Sequence, residues 1–474
     1  MTRLGTAAHF LGQVLDPGTF ESWDEPVVPR GDNDYLASLA RARSATGVDE
    51  AVLTGRGRIE GTGVALLVSE FGFLGGSIGV NTADRLTRAI RLATERGLPI
   101  VAAPASGGTR MQEGTRAFVK MAEVARAVEQ HKSSGLPYLV YLRHPTTGGV
   151  FASWGSLGQL TFAEPGALLG FLGPKVYRAV HGEDFPEGVQ IAENLARNGI
   201  VDRIVPLPAL RGLLATVLGH LHGGPASEGS SPAPTGVVGR LSGAGSAWQS
   251  IQLTRRPDRP GVEELLRHAA GDTVELGGSG AGVLVALTRL AGTRCVVVGH
   301  RRHPAPGPIG PTALRAARRG VILAEQFGLP LVTVIDTPGA ELSAEAEEDA
   351  LAGEIARCLA TLTGVRVPTA AILLGQGCGG AALALTSAHT VVAAEHAWLS
   401  PLPLEGASAI VHGHPRLAAD MATAQRVVAA DLLADGIVDV LVGEHRLASG
   451  DVAGFCRDIA TSAIAAISSQ NVRS

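Results

Sequence analysis

Two pairs of adjacent glycines each follow an apolar run of strand length: Gly148-Gly149 in LVYLRHPTTGGVFAS and Gly379-Gly380 in AAILLGQGCGGAALA. Glycines at a strand-to-helix turn expose bare backbone N–H groups at a helix N-terminus, where an oxygen gaining negative charge can be held. Loss of one such donor typically costs about 100- to 1000-fold in rate. The two pairs lie 231 residues apart (379 − 148 = 231). The same offset relates Leu98-Pro99 to Leu329-Pro330 and Pro137 to Pro368. Three landmarks in one register predict two copies of one fold, and therefore two oxyanion sites. Further glycine turns, ASGG (105–108) and TPG (337–339), end the preceding strand in each copy. A single turn of this kind is ordinary loop chemistry. Recurrence as pairs in both halves is what favours anion binding.

Other motifs carry less. Gly375, Gly377 and Gly380 satisfy G-x-G-x-x-G after a strand, but the acidic residue of a dinucleotide site is absent at its spacing. Residues 75–79 satisfy G-x-S-x-G around Ser77, yet Phe71-Gly72-Phe73 makes a poor strand for a nucleophile elbow, and no His/Asp order follows. His220 and His222, like His412 and His414, are spaced i,i+2 without an acidic or cysteine set, so they read as surface or loop histidines. Arg110, directly after ASGGT, is placed to meet an anionic substrate group or to sit as a solvated or interface charge. Glu113, Glu347 and Glu348 read as solvated helix charges.

These residues need a frame. A Gly-, Ser-, Pro- and Ala-rich stretch at 223–246 reads as a linker between a first domain, 1–222, and a second, 247–474. In each, strand-length apolar runs alternate with helical segments, the pattern of an α/β fold with largely parallel strands. Ligands in such folds sit at the carboxyl ends of the strands, where the glycine turns fall. The net charge of −4 gives no general affinity for nucleic acid. Four cysteines, all in the second half and without a CxxC pair, argue against a disulfide framework or a cysteine zinc site and fit a reducing cytoplasm. The N-terminus lacks the apolar run of a secretory signal. Residues 367–394 carry no Asp, Glu, Lys or Arg, but Pro368, four glycines and His389 predict a buried strand, turn and helix rather than a membrane span.

At these residues the chain resembles a known family. Its first half is similar to the β subunit of the bacterial acetyl-CoA carboxylase carboxyltransferase, through FLGGSIG (73–79), PASGGTRMQEGT (104–115), HPTTGGVFASWGSLG (144–158), AEPGALLGFLGP (163–174) and PEGVQ (186–190). The second half looks like the α subunit, through WQSIQLTRRPDRP (248–260), LAEQFGLPLVTVIDTPGA (323–340), AEEDALAGEIARCL (346–359), GQGCGGAALA (375–384) and LEGASAI (404–410). The resemblance implies tandem crotonase-like domains, each a β-β-α superhelix. It implies carboxyl transfer from carboxybiotin, presented by a separate carrier protein, to a CoA thioester, most simply acetyl-CoA to malonyl-CoA. No carrier Met-Lys-Met motif is present, so a biotin carboxyl carrier protein and a biotin carboxylase are expected as partners, with a homodimer or higher homo-oligomer in the cytoplasm and neither nucleic acid nor membrane.

By that resemblance Gly148 and Gly149 form the hole for the thioester enolate, with Ser106, Gly107, Gly108, Thr109, Arg110 and Met111 on the CoA side. Gly379 and Gly380 form the hole for the biotin ureido oxygen, with Gly339, Gly377, Cys378, Glu405 and Gly406 on the biotin side. The basic biotin nitrogen left after decarboxylation removes the α-proton, so no protein base is required, which explains a site made of glycines. The family's four-cysteine zinc ribbon has no counterpart, and no zinc is expected. Departures gather in the second half: Gln376 where the family has a carboxylate, Cys378 before the glycine pair, GGSG (277–280) for HGDR, and Pro403-Leu404 for a Ser-Pro pair. They leave open a biotin-independent acyl-CoA decarboxylase or carboxyltransferase, or a catalytically weak scaffold or binding subunit.

Overall fold

The computed structural model describes residues 5–221, 235–243, 245–277, 282–302 and 307–470. They form two compact units, Met1–Leu221 and His222–Ser474.

The first unit contains β1 (Glu21–Ser22), β2 (Val52–Ile59), β3 (Thr62–Ser69), β4 (Ile100–Ala103), β5 (Tyr138–Leu142), β6 (Thr146–Thr147), β7 (Leu160–Ala163), β8 (Leu169–Gly170) and β9 (Arg203–Ile204). The main sheet runs β1-β2-β3-β4-β5-β7-β9, and β6 pairs with β8 apart from it. Pairing is antiparallel up to β3 and parallel beyond. Every residue of β4 and β5 is buried. Helices such as Val80–Glu95 and Gly114–Ser133 supply Leu86, Ile90, Val124 and Val128 to the same core. A strand covered on both faces has no polar side, which is why these runs read as continuous rather than alternating.

The second unit contains β10 (Gly236–Val238), β11 (Ala270–Leu276), β12 (Val283–Leu290), β13 (Thr293–His300), β14 (Leu331–Thr337), β15 (Thr369–Cys378), β16 (Thr390–Ala394), β17 (Trp398–Ser400) and β18 (Val440–Val442). The order is β10-β18-β16-β15-β14-β13-β12-β11, with β17 beside the end of β15. All ten residues of β15 are buried. The uncharged stretch 367–394 is thus strand, turn, the helix Gly379–Thr386 and β16. Among the described residues no helix is long and apolar enough to cross a membrane.

The internal repeat is tighter than three landmarks. β2 and β12, and β3 and β13, start and end in step at the 231-residue offset. Their hairpin turns use Glu60-Gly61 (φ 46 and 81°) and Ala291-Gly292 (φ 44 and 84°), left-handed pairs that match the twist of the flanking strands. The register holds unbroken to Gly148 and Gly379. Residues 236–238, inside the stretch read as linker, instead form an edge strand parallel to β18, and the Ser242 N–H beyond them is accepted by the Glu395 carboxylate at 2.8 Å. Residues 222–234 lie outside the described set.

Candidate active site

In the first unit, Thr147 is extended and Gly148 turns to φ 62°, opening the short helix Gly148–Phe151. The loop Ser106–Gly108 is laced to this turn. Ser106 N–H donates to the Pro145 carbonyl (2.7 Å), and Thr147 N–H to the Ser106 carbonyl (2.8 Å). Ser106 Oγ is buried and accepts the Gly108 N–H at 3.0 Å. The glycines allow the approach: a Cβ on Gly148 would lie 3.2 Å from the Gly107 oxygen and 3.3 Å from Gly108 Cα, and one on Gly149 would lie 2.8 Å from Thr109 Oγ1. Gly148 donates its N–H to the Phe171 carbonyl at 3.1 Å. The N–H of Gly149, in the first helical turn, has no partner within the helix. The expected roles therefore separate. Gly148 forms the left-handed turn with its N–H already engaged by Phe171, and Gly149 follows it in the first helical turn. Met111, at the far end of the loop, is 82% exposed.

The second unit repeats the arrangement. Thr337 Oγ1 accepts the Gly339 N–H at 3.1 Å, as Ser106 does for Gly108. Ile309 N–H donates to the Gly339 carbonyl (3.0 Å), matching Ile78 to Gly108 (2.9 Å). Gly379 turns at φ 67° and opens its helix. A Cβ on Gly380 would touch Ile355 Cδ1 at 3.1 Å, and one on Gly377 the Trp398 carbonyl at 2.6 Å. One bond is not repeated: the Leu402 carbonyl, counterpart of Phe171, accepts from Ser400 Oγ at 2.8 Å. Cys378 is buried, and burial pushes its thiol up to about 11, so it is protonated at neutral pH. Glu405 is held by Arg255 at 2.6 and 3.1 Å, and that hydrogen bond keeps its carboxyl below the ordinary value. Gly406 has open space where a side chain would project.

Arg110 does not face a ligand. It is 1% exposed, and its guanidinium bonds Glu50 (2.8 and 3.0 Å), Tyr35 Oη (3.1 Å) and the Ser77 carbonyl (2.8 Å). Glu113 is likewise not a solvated charge: it accepts from Val80 N–H at 2.7 Å and from Tyr35 Oη at 2.5 Å. His220 is buried on its helix rather than at the surface. Ser77 Oγ donates to the Leu74 carbonyl, in a 3-10 turn rather than a nucleophile elbow. Residues 278–280 of the GGSG segment, and His222, lie outside the described residues. Sequence reasoning missed Tyr35 and Glu50, the partners of Arg110, and the Arg302–Asp336 pair beneath the second turn. Only the position of Asp336 at the end of an apolar strand, ahead of Thr337-Pro338-Gly339, offered a signal.

Cavities lie elsewhere, among them the following two. One of about 610 Å³ is lined by Arg30, Asn81, Gln112 and Arg116 among others, and one of about 250 Å³ by Ser242, Arg259, His396 and Glu444. Neither is lined by a glycine pair.

The family model of the carboxyl transferase domain matches residues 13–439. A probable biotin-dependent acyl-coenzyme A carboxylase beta3 subunit of Mycobacterium tuberculosis is 53% identical over 454 residues, covering 94% of this chain and 90% of its own. The acetyl-coenzyme A carboxylase carboxyl transferase subunits beta/alpha of Salinispora arenicola are 39% identical, covering 94% and 83%. Among solved structures, transcarboxylase 12S with hydrolyzed methylmalonyl-coenzyme A bound superposes with a TM-score of 0.78 at 21% identity, covering 96% of this chain and 88% of that one. The fold is that of the carboxyltransferases, an α/β architecture consistent with tandem crotonase-like domains.

Proposed function

The chain belongs to the carboxyl transferase domain family, and from that premise we propose that it transfers a carboxyl group from carboxybiotin on a carrier protein to an acyl-CoA, most simply acetyl-CoA to give malonyl-CoA. One observation carries the reading. The same glycine turn, at φ 62 and 67°, is braced by the same hydroxyl-to-glycine bond in both halves. The atoms nearest the glycine pairs come from Gly107, Gly108 and Thr109 on one and from Pro401 and Ile355 on the other, none of them an acid or base. Such a site stabilises negative charge on oxygen and leaves proton transfer to a substrate group.

In this reading the thioester oxygen lies at the Gly148-Gly149 turn, with Ser106–Met111 along the CoA side. Gly149 N–H offers the open donor, and Gly148, fixed by Phe171, aims it. Carboxybiotin, when bound, supplies the carboxyl group and the basic nitrogen that removes the α-proton. The second turn fits that group: Gly339 and Gly379 add no side chain at the turn, Gly377 lets β17 pack against the strand beneath it, and the protonated Cys378 adds no competing charge. Arg110 acts through the protein, holding the loop rather than the ligand. Glu405, paired with Arg255, shapes the rim of the second turn. A carrier protein and a biotin carboxylase work with this chain, which assembles as a homodimer or larger homo-oligomer.

The test incubates the purified chain with malonyl-CoA and either free biotin or biotinylated carrier, and follows acetyl-CoA release. Propionyl and longer substrates run in parallel assign the acyl class. Biotin-dependent release is expected. Release without biotin would replace this reading by a biotin-independent decarboxylase, and no release with CoA binding intact would leave a binding subunit.

A further inference from the structure

The two glycine turns are reached through the same shift of register, with Ser106 opposite Thr146 as Thr337 is opposite Gly377, and they differ in one strand-end contact. In the second unit the β14–β15 ladder runs in register to Ile335 and Leu373, then resumes at Thr337 and Gly377. Two steps on β14 are therefore matched by four on β15, a bulge just before the turn. Bulges re-aim a strand end and leave backbone groups unpaired. Here the carboxylate of Asp336 fills the gap: its Oδ1 accepts the Gln376 N–H at 2.9 Å. Gly375 is glycine because a Cβ there would lie 2.5 Å from the same oxygen.

Asp336 is itself fixed from two sides. Arg302 Nη1 bonds its Oδ2 at 2.5 Å, the pair being 1% and 0% exposed. The other Arg302 nitrogen donates to the Thr254 and Arg256 carbonyls (2.8 and 2.5 Å). Thr254 Oγ1 accepts from Trp398 Nε1 on β17 at 2.9 Å. The backbone N–H of Asp336 donates to His300 Nδ1 on β13 at 3.3 Å. One carboxylate thus links the strand ends that deliver Gly339 and Gly379.

The first unit has no such carboxylate. At the 231-residue offset, Ala105 stands where Asp336 is, and Pro145 stands where Gln376 is. Proline has no N–H to satisfy, so that strand end needs no acceptor. We propose that Asp336, held by Arg302 and His300, is a positioning residue for the second oxyanion site, doing with a charge-assisted hydrogen bond what Pro145 does in the first half by lacking a donor. The inference rests on the reading of Gly379-Gly380 as that site. It also accounts for why departures at Gln376 and Cys378 leave the turn geometry intact: Asp336 grips the main chain at 376, whatever the side chain.

The experiment compares Asp336→Asn and Arg302→Lys with the wild-type chain, using malonyl-CoA with biotinylated carrier and backbone hydrogen exchange on the same preparations. Asn keeps an acceptor oxygen but not the charge, and Lys keeps the charge but not the fork, so both retain a filled interior. The expected result is a fall in kcat of at least about tenfold, with KM for malonyl-CoA within about twofold of wild type. Exchange should rise in peptides spanning 337–341 and 375–384, and stay unchanged across 146–153. Wild-type turnover and exchange in Asp336→Asn would overturn the proposal, as would a matching rise in KM for malonyl-CoA. If the wild-type chain itself proves inactive with biotin, the functional reading fails, and the exchange data still decide for or against the brace.

Discussion

Gly148 donates its N–H to the carbonyl of Phe171 at 3.1 Å, so this residue is fixed in the turn before any ligand arrives. Its φ of 62° penalises any side chain by roughly 1–2 kcal/mol, and a Cβ would press on Gly107 and Gly108. Gly148→Ala should therefore lower both the melting temperature and turnover, the latter by about 100-fold or more. Gly149 has no positive φ to lose and its Cβ would press only on the Thr109 hydroxyl, so Gly149→Ala should cost activity with less loss of stability than Gly148→Ala. A calorimetric scan beside the transfer assay separates the two. Full turnover in both variants would refute the placement of the first site.

The second pair invites the same comparison with a different readout. Gly379, at φ 67°, is bound to its turn, whereas a Cβ on Gly380 meets only the side chain of Ile355. Gly380→Ala should fold normally and bind CoA thioesters with unchanged affinity, while carrier-dependent transfer falls about 100-fold. Pairing it with Ile355→Val should relieve the contact without restoring turnover. Recovery in the double variant would mean that packing, rather than a filled site, caused the loss.

Much of this was legible in the sequence, because glycine is conspicuous where the backbone needs a left-handed turn. The offset between Gly148 and Gly379 and the continuous apolar runs of β4, β5, β14 and β15 were enough to anticipate the architecture. What escaped was long-range pairing of charge. Arg110 looked like an anion receptor because it follows a glycine loop, and nothing near it announces Glu50, sixty positions earlier in the chain. Local composition likewise read 223–246 as linker, although β10 gains its ladder only by meeting β18, two hundred residues on. The Asp336–Gln376 contact was invisible for the same reason.

The Arg110–Glu50 pair makes the first unit acid-sensitive. Burial alone would raise the Glu50 carboxyl, but the hydrogen bonds and charge of Arg110 outweigh it and the net direction is down. A lowered carboxyl contributes stability that is complete above its ordinary value and fades as pH falls through the folded value. Arg110→Met should cost about 3–5 kcal/mol at neutral pH by leaving a buried carboxylate unpaired. The same variant should flatten the loss of stability below pH 4.5. Urea titrations at pH 7 and at pH 4 check both, and an equally steep acid loss in the variant would contradict the assignment.

His300 predicts a second acid dependence, in the other unit. It is fully buried, and desolvation lowers its imidazole from 6.5 to about 3. It stays neutral in the fold, with Nδ1 accepting from Asp336 N–H. The unfolded chain takes up a proton near the ordinary value that the folded chain refuses. Stability from this residue is therefore full above pH 6.5 and is lost as pH falls toward 3, at about 1.4 kcal/mol per pH unit. His300→Gln offers an amide oxygen to the same N–H without a titrating group. Unfolding followed by the fluorescence of Trp248 and Trp398 should then show a shallower decline between pH 6.5 and pH 5 than in the wild type. Transfer activity at pH 7.5 should survive, since the hydrogen bond that steadies Asp336 is kept. Identical pH profiles for the two proteins would mean that His300 takes up its proton as readily in the fold as in the unfolded chain, and Asp336 would then lose this acceptor for its backbone N–H below pH 6.5.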